Sequence, residues 1–166
     1  HYNEWWKTVQ PVVGAYSRIG LGGDENPVRL CCFDWTKKTT TANVTRQASI
    51  WKGEKVNGEW GLNVEKAGTY RFALRRYPGE IDFEMTQAWP ATEKEHQRFP
   101  ACKALPIARA RLKIGGFDKS IPVLSSDTAA IFEVHLQKGK VDMKTWLLDE
   151  HDVELCGAYY VDVELL

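Results

Sequence analysis

The stretch Gly58-Glu59-Trp60-Gly61-Leu62-Asn63-Val64-Glu65-Lys66-Ala67-Gly68-Thr69-Tyr70-Arg71-Phe72-Ala73-Leu74-Arg75-Arg76-Tyr77-Pro78-Gly79 carries the clearest two-residue periodicity in the chain. Trp60, Leu62 and Val64 alternate with Gly61, Asn63 and Glu65, and after Lys66-Ala67-Gly68 the residues Tyr70, Phe72 and Leu74 alternate with Arg71, Ala73 and Arg75. Successive side chains on a strand point to opposite faces, so each run has one bulky apolar face and one polar face. Two such runs joined by a short turn-forming segment predict a β-hairpin whose aromatic side lies on a second layer. Pro78 cannot donate to a ladder and ends the second run. That predicts a cationic, aromatic strand end at the rim, made of Arg75, Arg76 and Tyr77.

Outward from this stretch the same alternation recurs. Val28, Leu30 and Cys32 precede Asp34-Trp35; Ala48 and Ile50 lead to Trp51; Ile81, Phe83 and Met85 follow Pro78. Ala108, Ala110, Leu112 and Ile114 alternate with Arg109, Arg111 and Lys113 and are closed by Gly115-Gly116. Ala130 to Leu136 and Val141 to Leu147 read as a second hairpin about Lys138-Gly139-Lys140, and Tyr159 to Leu165 as a final strand. About eight or nine strands, with turn signals every ~8 to 12 residues and almost no helical periodicity, predict an all-β antiparallel β-sandwich. Thr92 to Arg98, charged and flanked by Pro90 and Pro100, predicts a short helical or loop insertion near residues 90–104. Tyr2 to Gln10 is expected to lay the indoles of Trp5 and Trp6 on the sheet. At 166 residues the chain fits a single domain spanning residues 1–166.

Lys+Arg and Asp+Glu both number 22, so no global field gathers nucleic acid, and any polyanion must be met by a local cluster. No run approaches the roughly 18 to 20 apolar residues of a membrane-spanning helix. A chain beginning at His1 reads as a processed or excised piece of a longer protein. Cys31 and Cys32 are adjacent while Cys102 and Cys156 stand alone, far from zinc spacings, so no metal site is expected; buried thiols and one disulfide both stay open. Gly22-Gly23-Asp24-Glu25-Asn26-Pro27 reads as a plain turn in preference to a calcium loop, which needs more oxygens than three neighbours supply. Asn43-Val44-Thr45 matches a glycosylation sequon.

No serine elbow, phosphate-cradling glycine loop or paired-histidine zinc helix is present, so no catalytic residue is assigned. His151 between Glu150 and Asp152 reads as part of a polar loop. Seven tryptophans favour binding over chemistry. Trp35, Trp51 and Trp89 sit at strand ends or loop edges, and there an indole either meets a sugar ring or plugs an open end of the sandwich; the plug is the stronger reading. Trp35, with Arg75, Arg76 and Tyr77 as polar partners, is the candidate ligand contact. The three cations of Arg109, Arg111 and Lys113 read first as a solvated face.

Several blocks together resemble the C-terminal region of bacterial arylsulfatase-family enzymes. They are Ile19-Gly20-Leu21-Gly22, Asn26-Pro27-Val28-Arg29-Leu30, Asp34-Trp35, Gly58-Glu59-Trp60, Gly68 to Glu80 and Gly157-Ala158-Tyr159-Tyr160-Val161. Leu74-Arg75-Arg76-Tyr77-Pro78 is similar to the family's Leu-Arg-Arg-Trp-Pro. The resemblance implies a periplasmic or extracellular parent that hydrolyses sulfate esters with calcium and a formylglycine made from a Cys/Ser-x-Pro-x-Arg motif. No cysteine or serine here begins that motif, so no nucleophile or calcium ligand is carried over and no cofactor is expected in this chain. What the resemblance implies is the noncatalytic β-domain that packs on the α/β catalytic domain of its own chain, with Arg75 and Arg76 placed to meet sulfate on a carbohydrate. An ion pair of these arginines with Glu80 or another acid is the structural alternative, and an independent carbohydrate-binding module the functional one.

Overall fold

A computed structural model of the chain describes residues 1–13, 17–38, 47–94, 97–99 and 101–166. The sequon at Asn43 and the residues Glu95 and His96 lie outside the described residues. Among the described residues thirteen strands are formed: β1 Ile19–Leu21, β2 Val28–Cys31, β3 Lys37–Lys38, β4 Gly58–Val64, β5 Gly68–Arg75, β6 Thr92–Lys94, β7 Gln97–Phe99, β8 Arg109–Ile114, β9 Phe117–Pro122, β10 Ala130–Leu136, β11 Gly139–Leu148, β12 Glu154–Cys156 and β13 Tyr160–Leu165. Helices α1 Tyr2–Val9 and α2 Gln47–Lys52 complete the regular structure, with 3-10 turns at Gln10–Val12 and Cys32–Asp34.

The fold is mostly β and built on two sheets. The larger runs β1-β4-β11-β8-β9, with β3 on β4 and β12 on β11; the smaller runs β10-β5-β13-β2. Both contribute to one buried cluster: Trp60, Leu62, Leu112, Ile114 and Met143 enter from the larger sheet, and Leu30, Tyr70, Phe72, Leu74 and Val161 from the smaller. Fully burying a side chain of this size contributes about 1.5–3 kcal/mol each, so these two rows carry much of the stability. The Trp60 indole N–H donates across the layers to the Cys31 carbonyl at 3.0 Å.

The opening stretch is not a hairpin. Its two strands alternate as the sequence predicts, but β4 pairs with β1 and β11 in the larger sheet, whereas β5 pairs with β10 and β13 in the smaller. Lys66-Ala67 thus carries the chain from one layer to the other, and Trp60, Leu62 and Val64 face Tyr70, Phe72 and Leu74 across the core instead of lying beside them. The Tyr70 hydroxyl secures this arch, 2.6 Å from the Lys66 carbonyl and 3.2 Å from that of Leu21. The second expected hairpin is likewise an arch, since β10 lies in the smaller sheet and β11 in the larger. A hairpin the chain does make is β8–β9, where Gly115 at φ 55° supplies the left-handed turn position.

Other expectations are corrected. The sheets are not purely antiparallel, because β1 runs parallel to β4. Ile81 to Met85 forms no strand: its amides close local turns, Ile81 to Pro78 at 3.2 Å and Phe83 to Ile81 at 3.0 Å. The described residues of the insertion form the paired strands β6 and β7 and no helical turn. Ala48 to Trp51 belongs to α2, not to a strand. The leading segment is the helix α1, whose tryptophans do not cover the sheet: Trp5 and Trp6 are 55% and 38% exposed. All four cysteines are free thiols, so no disulfide forms. The Asn26 side chain is committed to the last strand, its amide donating to the Leu165 carbonyl at 3.1 Å and its carbonyl accepting the Leu165 N–H at 2.8 Å. No helix among the described residues is long and apolar enough to cross a membrane.

Candidate functional site

The strand end nominated from sequence is drawn inward. Arg76 is 0% exposed. Its guanidinium donates to the carbonyls of Met85 and Gln87, each at 3.2 Å, and to that of Lys103, while its Nε has no partner and its carbon lies 4.9 Å from the Tyr77 ring centroid. Among the described residues no carboxylate faces it within ion-pair distance. Instead Arg76 gathers the long loop that follows β5. Tyr77 is buried beside it, its hydroxyl donating to the Gln87 carbonyl at 2.8 Å and its ring meeting Phe83 edge-on, which in turn stacks on Trp89. Burial pushes the Tyr77 hydroxyl up to about 12 and the Cys156 thiol likewise to about 12, and it raises Cys102 as well. At neutral pH these thiols hold their protons, which is the unreactive form.

Trp35 is 4% exposed, packed edge-on against Trp60 with ring centroids 5.5 Å apart, so it plugs one end of the core. Trp51 and Trp89 are half-buried. Of the four nominated residues only Arg75 keeps its head near solvent, on the outer face of the smaller sheet. There its Nε donates to Asp162 at 3.0 Å and Nη1 to the Thr128 carbonyl at 3.3 Å. Asp162 also accepts from Arg29 at 3.0 Å, and Arg29 pairs with Glu80. The acid expected for these arginines is therefore Asp162 on Arg75, while Glu80 goes to Arg29 and Arg76 has none. Trp35, Arg76 and Tyr77 are not at the rim.

The structure instead sets an aromatic among cations on the outer face of the larger sheet. Along β11 the outward positions are Lys140, Asp142, Lys144 and Trp146, with Met143, Thr145 and Leu147 buried between them. Trp146 stands directly opposite Arg111 of β8, and Lys144 directly opposite Lys113. The Arg111 guanidinium lies 4.8 Å from the Trp146 ring centroid and is gripped at 2.7 Å by both oxygens of Asp118; the Lys144 ammonium lies 5.3 Å from the same ring. These contacts fix the indole as a ridge between two shallow concavities. One, of about 500 Å³, is lined by Lys113, Lys140, Lys144, Glu59 and Asp142; the other, of about 700 Å³, by Arg109, Arg111, Asp118 and Asp152.

Charge is unevenly settled across this face. Arg109 pairs with Asp152 at 3.3 Å, Arg18 with Asp142 at 2.8 Å and Lys37 with Glu59 at 3.4 Å. Among the described residues, Lys113, Lys140 and Lys144 have no carboxylate within 4.0 Å. Trp146 lies in the polar phase of β11, outside the apolar alternation that marks the core. The signal was available: tryptophan is the one aromatic in the polar phase of that strand.

A second bare feature is α1. Tyr2, Trp5, Trp6 and Val9 lie at i, i+3, i+4 and i+7, one stripe of the helix, and Val12 and Val13 extend it. No residue of α1 or of the 3-10 turn after it is buried.

No protein-family description matches the sequence, and no curated protein does. Among solved structures the chain is similar to a ruminal GH26 endo-β-1,4-mannanase at 13% identity, with 86% of this chain and 26% of that chain covered and a TM-score of 0.43. The chain thus spans only about a quarter of that protein's length, and so distant a likeness carries no argument about activity.

Proposed function

We propose that this chain is the noncatalytic β-domain of a sulfatase-type enzyme and that it packs, through α1, against the α/β domain in which the sulfate ester is cleaved. The observation that carries the reading is the bare apolar stripe of Tyr2, Trp5, Trp6, Val12 and Val13, all exposed. An isolated helix of fewer than about 12 residues is marginal in water, so an eight-residue helix with no packed face draws its stability from a partner. Buried indoles are also the side chains that dominate association energies. The sulfatase parentage rests on the resemblance of Gly68 to Glu80 and of the blocks around it. Arg75, Arg76, Trp35 and Tyr77 support the noncatalytic role by what they hold: a loop, a sheet face and a core.

The test is association of this chain with the separately expressed α/β domain, compared with the Trp5→Ala/Trp6→Ala variant. The expected result is a complex whose Kd rises at least about 10-fold in the variant, while the melting temperature of the chain alone is unchanged. Equal affinity, or loss of the fold in the variant, would show that α1 is not the docking element. Turnover of an aryl sulfate ester by the chain alone would end the noncatalytic reading.

A further inference from the structure

We propose that the corner made by Trp146, Lys144 and Lys113 binds an acidic sugar: a ring bearing a sulfate or carboxylate group that sits between the two ammonium groups while the ring lies against the indole. This site is separate from α1 and does not rest on the docking reading. Three observations converge on it. Like charges directly opposite on neighbouring strands are destabilising, and Lys113 faces Lys144 in register with no described carboxylate within 4.0 Å of either ammonium. Asp118 and Glu59, which stand opposite Lys113 and Lys144 on the flanking strands, are already held by Arg111 and Lys37, and Asp142 is held by Arg18. An anion placed between the lysines removes that repulsion and takes charge-assisted hydrogen bonds from both.

The tryptophan narrows the ligand from any anion to one with a flat apolar face. Lys144 stands 5.3 Å from the indole centroid, so a group bound to its ammonium lies within the breadth of one sugar ring of Trp146. Arg111, clamped by Asp118, holds the other contact on the ring and limits its rotation, so the platform is set before the ligand arrives. The concavity of about 500 Å³ beside the ridge is open to solvent and of a size to take one or two sugar units. Lys140 at its edge adds a third unpaired cation for a second acidic group. Nucleic acid fits less well, because a chain of formal net charge zero with three free lysines on this face lacks the run of cations that tracks a phosphate backbone.

The experiment measures binding of the full chain to dextran sulfate and to polygalacturonate, with neutral dextran and polyglutamate as comparators, at low and moderate salt. The expected result is salt-sensitive binding to at least one acidic polysaccharide, at least about 10-fold tighter than to polyglutamate; the arm that binds tells sulfate from carboxylate. Lys113→Gln/Lys144→Gln and Trp146→Ala are each expected to weaken it at least about 10-fold, and Arg71→Gln on the opposite face to leave it unchanged. The lysine variant alters only solvent-facing groups, so it remains informative if Trp146→Ala folds poorly. Binding should survive Trp5→Ala/Trp6→Ala, which separates this site from docking. No binding to either polysaccharide, equal binding to polyglutamate, or wild-type binding by the lysine variant would each overturn the proposal.

Discussion

Replacing Arg76 by methionine tests whether the most cationic stretch of the sequence serves a ligand or the fold. The guanidinium donates to three carbonyls, those of Met85, Gln87 and Lys103, and each belongs to the loop between β5 and β8. A buried acceptor left bare costs about 1–3 kcal/mol, so three set a gross loss of roughly 3–9 kcal/mol. Two effects reduce it. The bonds to Gln87 and Lys103 are only part-buried, which lets water take over some of the lost donors, and removing the charge relieves its desolvation together with the unpartnered Nε. The net expectation is a loss of about 3 kcal/mol, or a midpoint lowered by roughly 6–12 °C for a domain of this size. Arg76→Lys should recover little of it, because an ammonium presents its donors at one point and cannot span three carbonyls held by a planar fork. Urea unfolding followed by tryptophan fluorescence supplies the free energy, and amide exchange over residues 85–105 supplies the location. A loss below about 1 kcal/mol with unchanged exchange in that loop would refute the clamp, and the same result coupled to lost polysaccharide binding would return Arg76 to the ligand.

Two further outcomes follow from the geometry. A Cβ added at Gly58 would lie 2.5 Å from the Trp35 ring and 2.8 Å from the Lys37 carbonyl, neither free to yield; Gly116, with nothing within 4 Å, is the comparison. Gly58→Ala should cost about 1–3 kcal/mol by thermal melting and Gly116→Ala under about 0.5, and equal effects would mean Trp35 is not seated against β4. The Arg111 hydrogen bonds hold the Asp118 carboxyl below its ordinary 3.8. A depressed folded value stabilises above the unfolded one and is lost as pH falls through the folded one. The stability gap between wild type and Asp118→Asn should therefore be present at about pH 6 and close below about pH 4; a gap that persists in acid would show that the pair does not operate. It is expected to be small, since both side chains are substantially exposed.

Alternation told the sequence reader which side chains enter the core, and it did so well for Trp60, Leu62, Tyr70, Phe72 and Leu74, all 0% exposed. It did not tell which strand lies alongside which. A hairpin and an arch use the same period and the same short link, and differ only in whether the second strand turns back within its sheet or crosses to the other. That choice is set by non-local partners, β11 for β4 and β10 for β5, from more than fifty residues away in the sequence. Local signals misled here too: along Ile81, Phe83 and Met85 the amides go to local turns at Pro78 and Ile81 and to the Asp127 carbonyl, so no ladder forms. α1 was missed for a different reason. Its i, i+3, i+4, i+7 stripe covers only about two turns, too short a run for a helical period to stand out from the strand signals around it.

The candidate site was hidden by the same limit applied to charge. Arg75, Arg76, Arg111 and Lys113 look alike in sequence, each a cation in or beside an amphipathic strand, yet they stand in four different situations. Arg75 shares Asp162 with Arg29, Arg76 is enclosed by carbonyls, Arg111 is clamped by Asp118 against an indole, and Lys113 faces another lysine while the acid opposite it, Asp118, is spent on Arg111. Only the last retains an unspent field. A cation already neutralised must break its own pair to meet a ligand, and one sealed among carbonyls must also carry the ligand's charge out of water; an exposed, unpaired lysine beside an aromatic ring owes neither cost. The residues that can recognise an acidic partner are then those the fold has left unmatched. On the described surface Lys113, Lys140 and Lys144 meet that condition together around Trp146, whereas Lys119 meets it singly over Phe117, and all lie on the opposite sheet from Arg75.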